Sequence, residues 1–96
     1  MASQETAAEK LQVTLYTKPG CHLCDDLRDL LQAMQAGLDF AIVERNIEAE
    51  PADFERYRYL IPVRDVPGHE PMTPPHETQS VRRALQAALS TTGSQA

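Results

Sequence analysis

The sequence predicts an α/β fold in which a parallel β-α-β unit is followed by a second helix, a β-hairpin and a closing helix. Three observations predict it. Apolar residues alternate over 11–15 and then recur at spacings of three and four over 23–34, so the periodicity changes from strand to helix. A short apolar run at 40–43 is the right length for a strand. Two segments punctuated by prolines, at 61–66 and 70–73, precede a last helical stripe. The resulting order, β-α-β-α-β-β-α, suits a four-stranded mixed sheet with helices packed against it.

Each element has its own signal. Leu11, Val13 and Leu15 alternate with Gln12, Thr14 and Tyr16, a half-buried strand. Lys18-Pro19-Gly20 breaks it, because proline holds the preceding residue extended and glycine permits a tight turn. Leu23, Leu27, Leu30, Leu31 and Met34 then form one apolar helical stripe. Asp25 and Asp26 fall in its first turn, where the helix dipole favours negative charge. Gly37 is the expected C′ residue that closes it. Phe40 to Val43 reads as a strand buried on both faces.

Residues 46–50 read as a loop, and Pro51 opens a second helix with Phe54 and Tyr57 on its inner face. Tyr57 and Tyr59 are expected to cover that helix and the loop after it. A third strand is expected over 61–66 and a fourth over 70–73, at the sheet edge because Pro71 cannot donate to a ladder. Between them Pro67-Gly68 is a turn signal. Val81, Ala84, Leu85, Ala88 and Leu89 stripe the last helix. The organisation expected is a flexible N-terminus over 1–10, one domain over 11–90 and a flexible C-terminus over 91–96.

Composition narrows the function. The 96 residues suit one domain with one core. The net charge of −5 disfavours nucleic acid, whose phosphates call for clustered Lys and Arg. Arg56/Arg58 and Arg82/Arg83 read as solvated helix faces. No run approaches the roughly 18 apolar residues that would span a bilayer, so no membrane partner is expected. Residues 1–10 hold no apolar h-region, and the expected location is the cytoplasm. The expected state is a monomer.

Cys21-His22-Leu23-Cys24 carries the chemistry. A C-x-x-C pair between a strand and a helix, in a cytoplasmic βαβ setting, reads as a redox dithiol. Cys21 falls at the helix N-terminus, where free backbone N–H groups and the dipole favour a thiolate. Lys18 and a protonated His22 favour the anion too, while Asp25 and Asp26 oppose it through screened solvent. The expected Cys21 pKa is therefore below that of a free thiol. Cys21 is expected to attack a substrate disulfide and Cys24 to resolve the mixed disulfide.

Three blander readings compete. A zinc site could draw on Cys21, Cys24, His22, His69 and His76, but His69 and His76 are separated by six residues and a second cysteine pair is missing. A structural disulfide closing a four-residue loop would contribute roughly 2 kcal/mol, against ~3 for a fifteen-residue loop. Two inert helix cysteines are the third. His69 reads as a solvated loop residue, and His76 receives no role. Asp65 and Glu70 flank a turn and serve solubility.

The segment Tyr16-Thr17-Lys18-Pro19-Gly20-Cys21-His22-Leu23-Cys24 resembles the active-site segment of glutaredoxins, particularly small stand-alone glutaredoxin-like proteins. Ile61-Pro62-Val63 resembles their second landmark, a hydrophobic residue before a cis-proline facing the cysteine pair. The resemblance spans about residues 11–89 and implies a thioredoxin-like fold, four strands in the order 2-1-3-4 and helices on both faces. It implies a thiol–disulfide oxidoreductase with Cys21 and Cys24 as catalytic residues. Tyr16, Lys18, His22, Ile61 and Pro62 would contact substrate, and Pro62 would be cis. Protein or small-molecule disulfides are the implied partners, with glutathione or another thiol as electron donor and no bound cofactor.

The chain departs from the family where glutathione-binding members carry Gly-Gly before the last helix. It reads Thr73-Pro74-Pro75-His76-Glu77-Thr78, and two prolines remove backbone donors for a carboxylate. His22 also replaces the commoner aromatic spacer residue and is expected to raise the reduction potential by stabilising the thiolate. The rival function is a non-catalytic thioredoxin-fold binding module, or one that binds zinc or an iron–sulfur cluster.

Overall fold

A computed structural model describes the backbone of residues 10–95 and the side chains of residues 10–90. The elements follow in the order β1 (Leu11–Thr17), α1 (His22–Met34), β2 (Phe40–Asn46), a 3-10 turn (Ile47–Ala49), α2 (Pro51–Tyr57), β3 (Val63–Asp65) and α3 (Thr78–Gln95). Of the tails expected at 1–10 and 91–96, residues 1–9, Ala96 and the side chains of 91–95 lie outside the described residues, while the backbone of 91–95 continues α3 to Gln95.

β1 is the central strand. It pairs in parallel with β2 from Leu11↔Phe40 to Thr17↔Asn46, and antiparallel with β3 from Thr14↔Asp65 to Tyr16↔Val63. Its period-two pattern sends alternate side chains to opposite faces. Leu11, Val13 and Leu15 pack with Leu27, Leu31 and Met34 of α1 and with Val81, Leu85 and Ala88 of α3. Tyr16 joins a second cluster with Ile47, Tyr57 and Val63 beneath α2. Helices therefore cover both faces of a mixed sheet.

The sheet has three strands, β2-β1-β3, where the sequence predicts four. The fourth is reduced to a single bridge, with Arg64 N–H donating to the Met72 carbonyl at 3.1 Å and Met72 N–H to the Arg64 carbonyl at 2.9 Å. The next hydrogen-bonded pair on one side would set Pro62 against Pro74, neither of which has an N–H, and on the other side the Val66 carbonyl accepts the His69 N–H at 2.9 Å. β3 is likewise confined to Val63–Asp65 within the 61–66 expected.

Other expectations change for identifiable reasons. β2 is an edge strand, so only Phe40 is buried and Val43 is exposed rather than enclosed. Gly37 does not take the left-handed C′ role; α1 ends at Met34, whose carbonyl accepts the N–H groups of Gly37 and Leu38. Positive φ occurs instead at Gly20 (80°) and Gly68 (87°), the two turns the sequence marks. The 46–50 loop holds a 3-10 turn capped by the Asn46 side chain, which accepts from Glu48 N–H at 2.9 Å and seats the buried Ile47. Pro51 opens α2 as expected. Tyr57 is buried but Tyr59 lies on the surface, its ring under the Arg58 guanidinium at 4.6 Å.

Leu31 is fully enclosed between sheet and helices. Replacing it with alanine should cost about 2–5 kcal/mol of stability, read from the urea midpoint at unchanged m-value.

Candidate active site

The strand-to-helix junction builds the site. β1 ends at Thr17, and Gly20 at φ 80° turns the chain so that Cys21 becomes the N-cap of α1, with extended backbone angles (φ −94°, ψ 106°). The first-turn N–H groups of a helix lack intrahelical partners. Here the N–H of Cys24 donates to Cys21 Sγ at 3.1 Å, so a sulfur occupies the place a serine or aspartate oxygen usually takes. Cys21 and Cys24 are joined as a disulfide, their Cα atoms 5.2 Å apart. The two sulfurs are unequal: Cys21 is half-buried, whereas Cys24 is 2% exposed.

Two cavities flank the first turns of α1, one against Leu23 between the cysteines and one against Cys24 itself. One, of about 640 Å³, is largely apolar and is walled by Leu23, Leu27 and Leu30 of α1, by Pro62, and by Pro74-Pro75 with His76. The other, of about 240 Å³, is polar and is lined by Lys18, Gly20, Cys24, Asp25, Arg28 and Asn46. Arg28 ties it together through ion pairs with Asp25 (3.2 Å) and with Glu44 on β2 (3.8 Å).

The residues singled out by sequence divide between these surroundings. Pro62 is buried, walls the apolar cavity and follows a cis peptide bond, as the resemblance implied. Lys18 lines the polar cavity beside Cys24. His22 is exposed on the first turn of α1. Tyr16 and Ile61 sit in the cluster beneath α2 and line neither cavity. The Tyr16 ring lies 4.5 Å from that of Tyr57, and its hydroxyl pKa is raised, first by burial and then by Tyr57, Asp65 and Asp53.

Two residues of the site were missed, and a third, Arg64, lies outside it. Leu23, assigned to the core stripe, is 62% exposed and walls the apolar cavity; its place inside C-x-x-C was the available signal. His76 reaches back across fourteen residues, its Nε2 standing 2.6 Å from the Pro62 carbonyl. A carbonyl only accepts, so Nε2 carries the proton and neutral His76 leaves Nδ1 as a buried acceptor with no partner among the described residues. No local pattern reports such a contact. Arg64, on β3, is 3% exposed in a strand flanked by valines, where alternation enforces burial.

The fold and this junction define a class: a thioredoxin-fold protein with a disulfide-bonded C-x-x-C pair at a helix N-terminus. The likeness to a mutant thioredoxin from Halobacterium salinarum NRC-1 carries that fold at TM-score 0.66, over 91% of this chain and 81% of that one, at 13% identity. The Glutaredoxin-like domain (DUF836) family matches residues 12–88, and the chain belongs to it. A structural genomics target protein, XcR50 from X. campestris, is 29% identical over 78% of this chain and 96% of its own, with TM-score 0.66. No curated protein matches the chain. Among the described residues no helix is long and apolar enough to cross a membrane.

Burial lowers the His76 pKa, the Pro62 hydrogen bond opposes that shift, and the Arg64 charge adds to it. Below the unfolded histidine value of about 6.5 the unfolded chain therefore binds this proton first, so the contribution of neutral His76 is full above that pH and declines as pH falls. The urea midpoint should fall between pH 7.5 and 5.5, and His76→Gln should flatten that dependence.

Proposed function

We propose that the chain is a thiol–disulfide oxidoreductase in which Cys21 attacks and Cys24 resolves. The observation that carries the reading is the inequality of the two sulfurs: Cys21 is reachable and receives an N–H at 3.1 Å, and Cys24 is buried behind it. In the dithiol form the same N–H would support a Cys21 thiolate, the attacking species.

The reaction balances through sulfur alone. The Cys21 thiolate attacks one sulfur of a substrate disulfide, forming a mixed disulfide and expelling the other sulfur as a thiolate that takes a proton. Cys24 then loses its proton and attacks Cys21 Sγ, releasing the second substrate thiol. Two electrons pass to the substrate, and the Cys21–Cys24 disulfide remains. Two equivalents of a thiol such as glutathione return it to the dithiol by the same exchange. The apolar cavity beside Leu23 and Pro62 supports a disulfide flanked by apolar groups as substrate, whether protein or small molecule. Lys18 beside Cys24 supports an anionic thiol donor. A cytoplasmic setting, in which thiol donors are abundant, fits this direction of exchange.

Cys24→Ser should accumulate a mixed disulfide with substrate, visible as a reducible mass adduct, and Cys21→Ser should abolish turnover. Full reductase activity in Cys21→Ser would overturn the assignment. The alkylation rate of reduced Cys21 plotted against pH should have its midpoint below that of free cysteine. A midpoint at or above that value would remove the activated nucleophile.

A further inference from the structure

Arg64 is a buried charge without a counterion among the described residues. The β3 register pairs it with Leu15 and turns its side chain to the sheet face that carries α1 and α3. It is 3% exposed, and both Nε and Nη1 are shut off from solvent with no hydrogen-bond partner among the described residues. A guanidinium stays protonated under all ordinary conditions, and a buried ion is costly unless paired. Among the described residues no carboxylate forms an ion pair with it.

The same side chain lines a cavity of about 340 Å³ between β3, the segment around Met72 and the first half of α3. Arg83, Ser80 and His69 also line that cavity. Ser80 and Arg83 are three apart on α3 and so share a helix face. One carboxylate, Glu70, is also on the lining, and it pairs with neither arginine.

We propose that this cavity binds a small oxyanion, a phosphate or carboxylate group, held between Arg64 and Arg83 with Ser80 as a further donor. Guanidinium groups match the planar spacing of such oxygens and donate charge-assisted hydrogen bonds to them. The cavity exceeds the volume of a bare phosphate, leaving room for the body of a phosphate monoester or small organic acid. Glu70 on the rim repels the ligand and weakens binding without occupying its place. The site is separate from the cavities beside the cysteines and does not depend on their chemistry.

The test uses the full chain at constant ionic strength, titrated in parallel with inorganic phosphate, acetate and chloride. Backbone amide shifts of Arg64 and Ser80 and the thermal midpoint are read together. Phosphate or acetate should shift these amides saturably and raise the midpoint, while chloride should not. The tighter of the two identifies the ligand as a phosphate ester or a carboxylic acid.

Arg83→Ala changes an exposed residue and should weaken binding about tenfold, the loss expected for a charged hydrogen bond. Arg64→Leu should abolish binding, and Glu70→Gln should tighten it. Equal, unsaturated shifts with all three salts would overturn the proposal, as would unchanged affinity in Arg83→Ala. A Glu70→Gln protein that melts lower and binds no tighter would show Glu70 to be the counterion of Arg64, and would also overturn it.

Discussion

A single hydrogen bond from a backbone amide to a sulfur organises the functional end of this molecule. Helix α1 needs an acceptor for its first free N–H groups, and Cys21 Sγ takes the one offered by Cys24. That need fixes Cys21 just outside the helix and Cys24 just inside it. The difference in accessibility between the two sulfurs follows from packing: Cys24 shares the buried face of α1 with Leu27, Leu31 and Met34, whereas Cys21 stands at the open end of the helix. A serine in place of Cys21 would cap the helix equally well, so the cap itself does not demand cysteine. The chemistry takes advantage of a position the helix would fill in any case.

The rest of the fold keeps that junction still. β1 lies between β2 and β3 and contributes to both core clusters, so the strand that delivers the Gly20 turn is held from both faces and both edges. Pro62 and the 74–76 segment stand across a cavity from the side of α1 that bears Leu23. His76 fastens this segment by its bond to the Pro62 carbonyl, which lets Pro62 and Pro74-Pro75 wall one cavity with Leu23. The neutral state of His76 is consistent with that job: the carbonyl asks for one proton, and burial beside Arg64 discourages a second.

Polar burial is concentrated near the same place. Arg64 and His76 hold the buried side-chain nitrogens that find no partner among the described residues, and the Arg64 charge is felt at His76. His76 lines the apolar cavity and Arg64 lines the cavity under α3. An anion neutralising Arg64 would ease protonation of His76, so occupation of one cavity would be electrostatically sensed at the edge of the other.

Much of the fold was legible because its signals are local. The alternation in β1, the stripes of α1 and α3, the Gly20 and Pro67-Gly68 turns and the Pro51 start all arise from neighbours in the chain. The C-x-x-C spacing at a strand–helix boundary put Cys21 and Cys24 within reach by helix geometry alone. What tertiary structure decided was everything that depends on which surfaces meet. It exposed Val43 on β2, left the Met72 segment a single bridge, turned Leu23 outward to wall a cavity, and buried Arg64 near enough for its charge to act on His76. Periodicity states that a residue faces one side of an element. Only packing states what stands on that side, because the contact is made by residues far away in the chain.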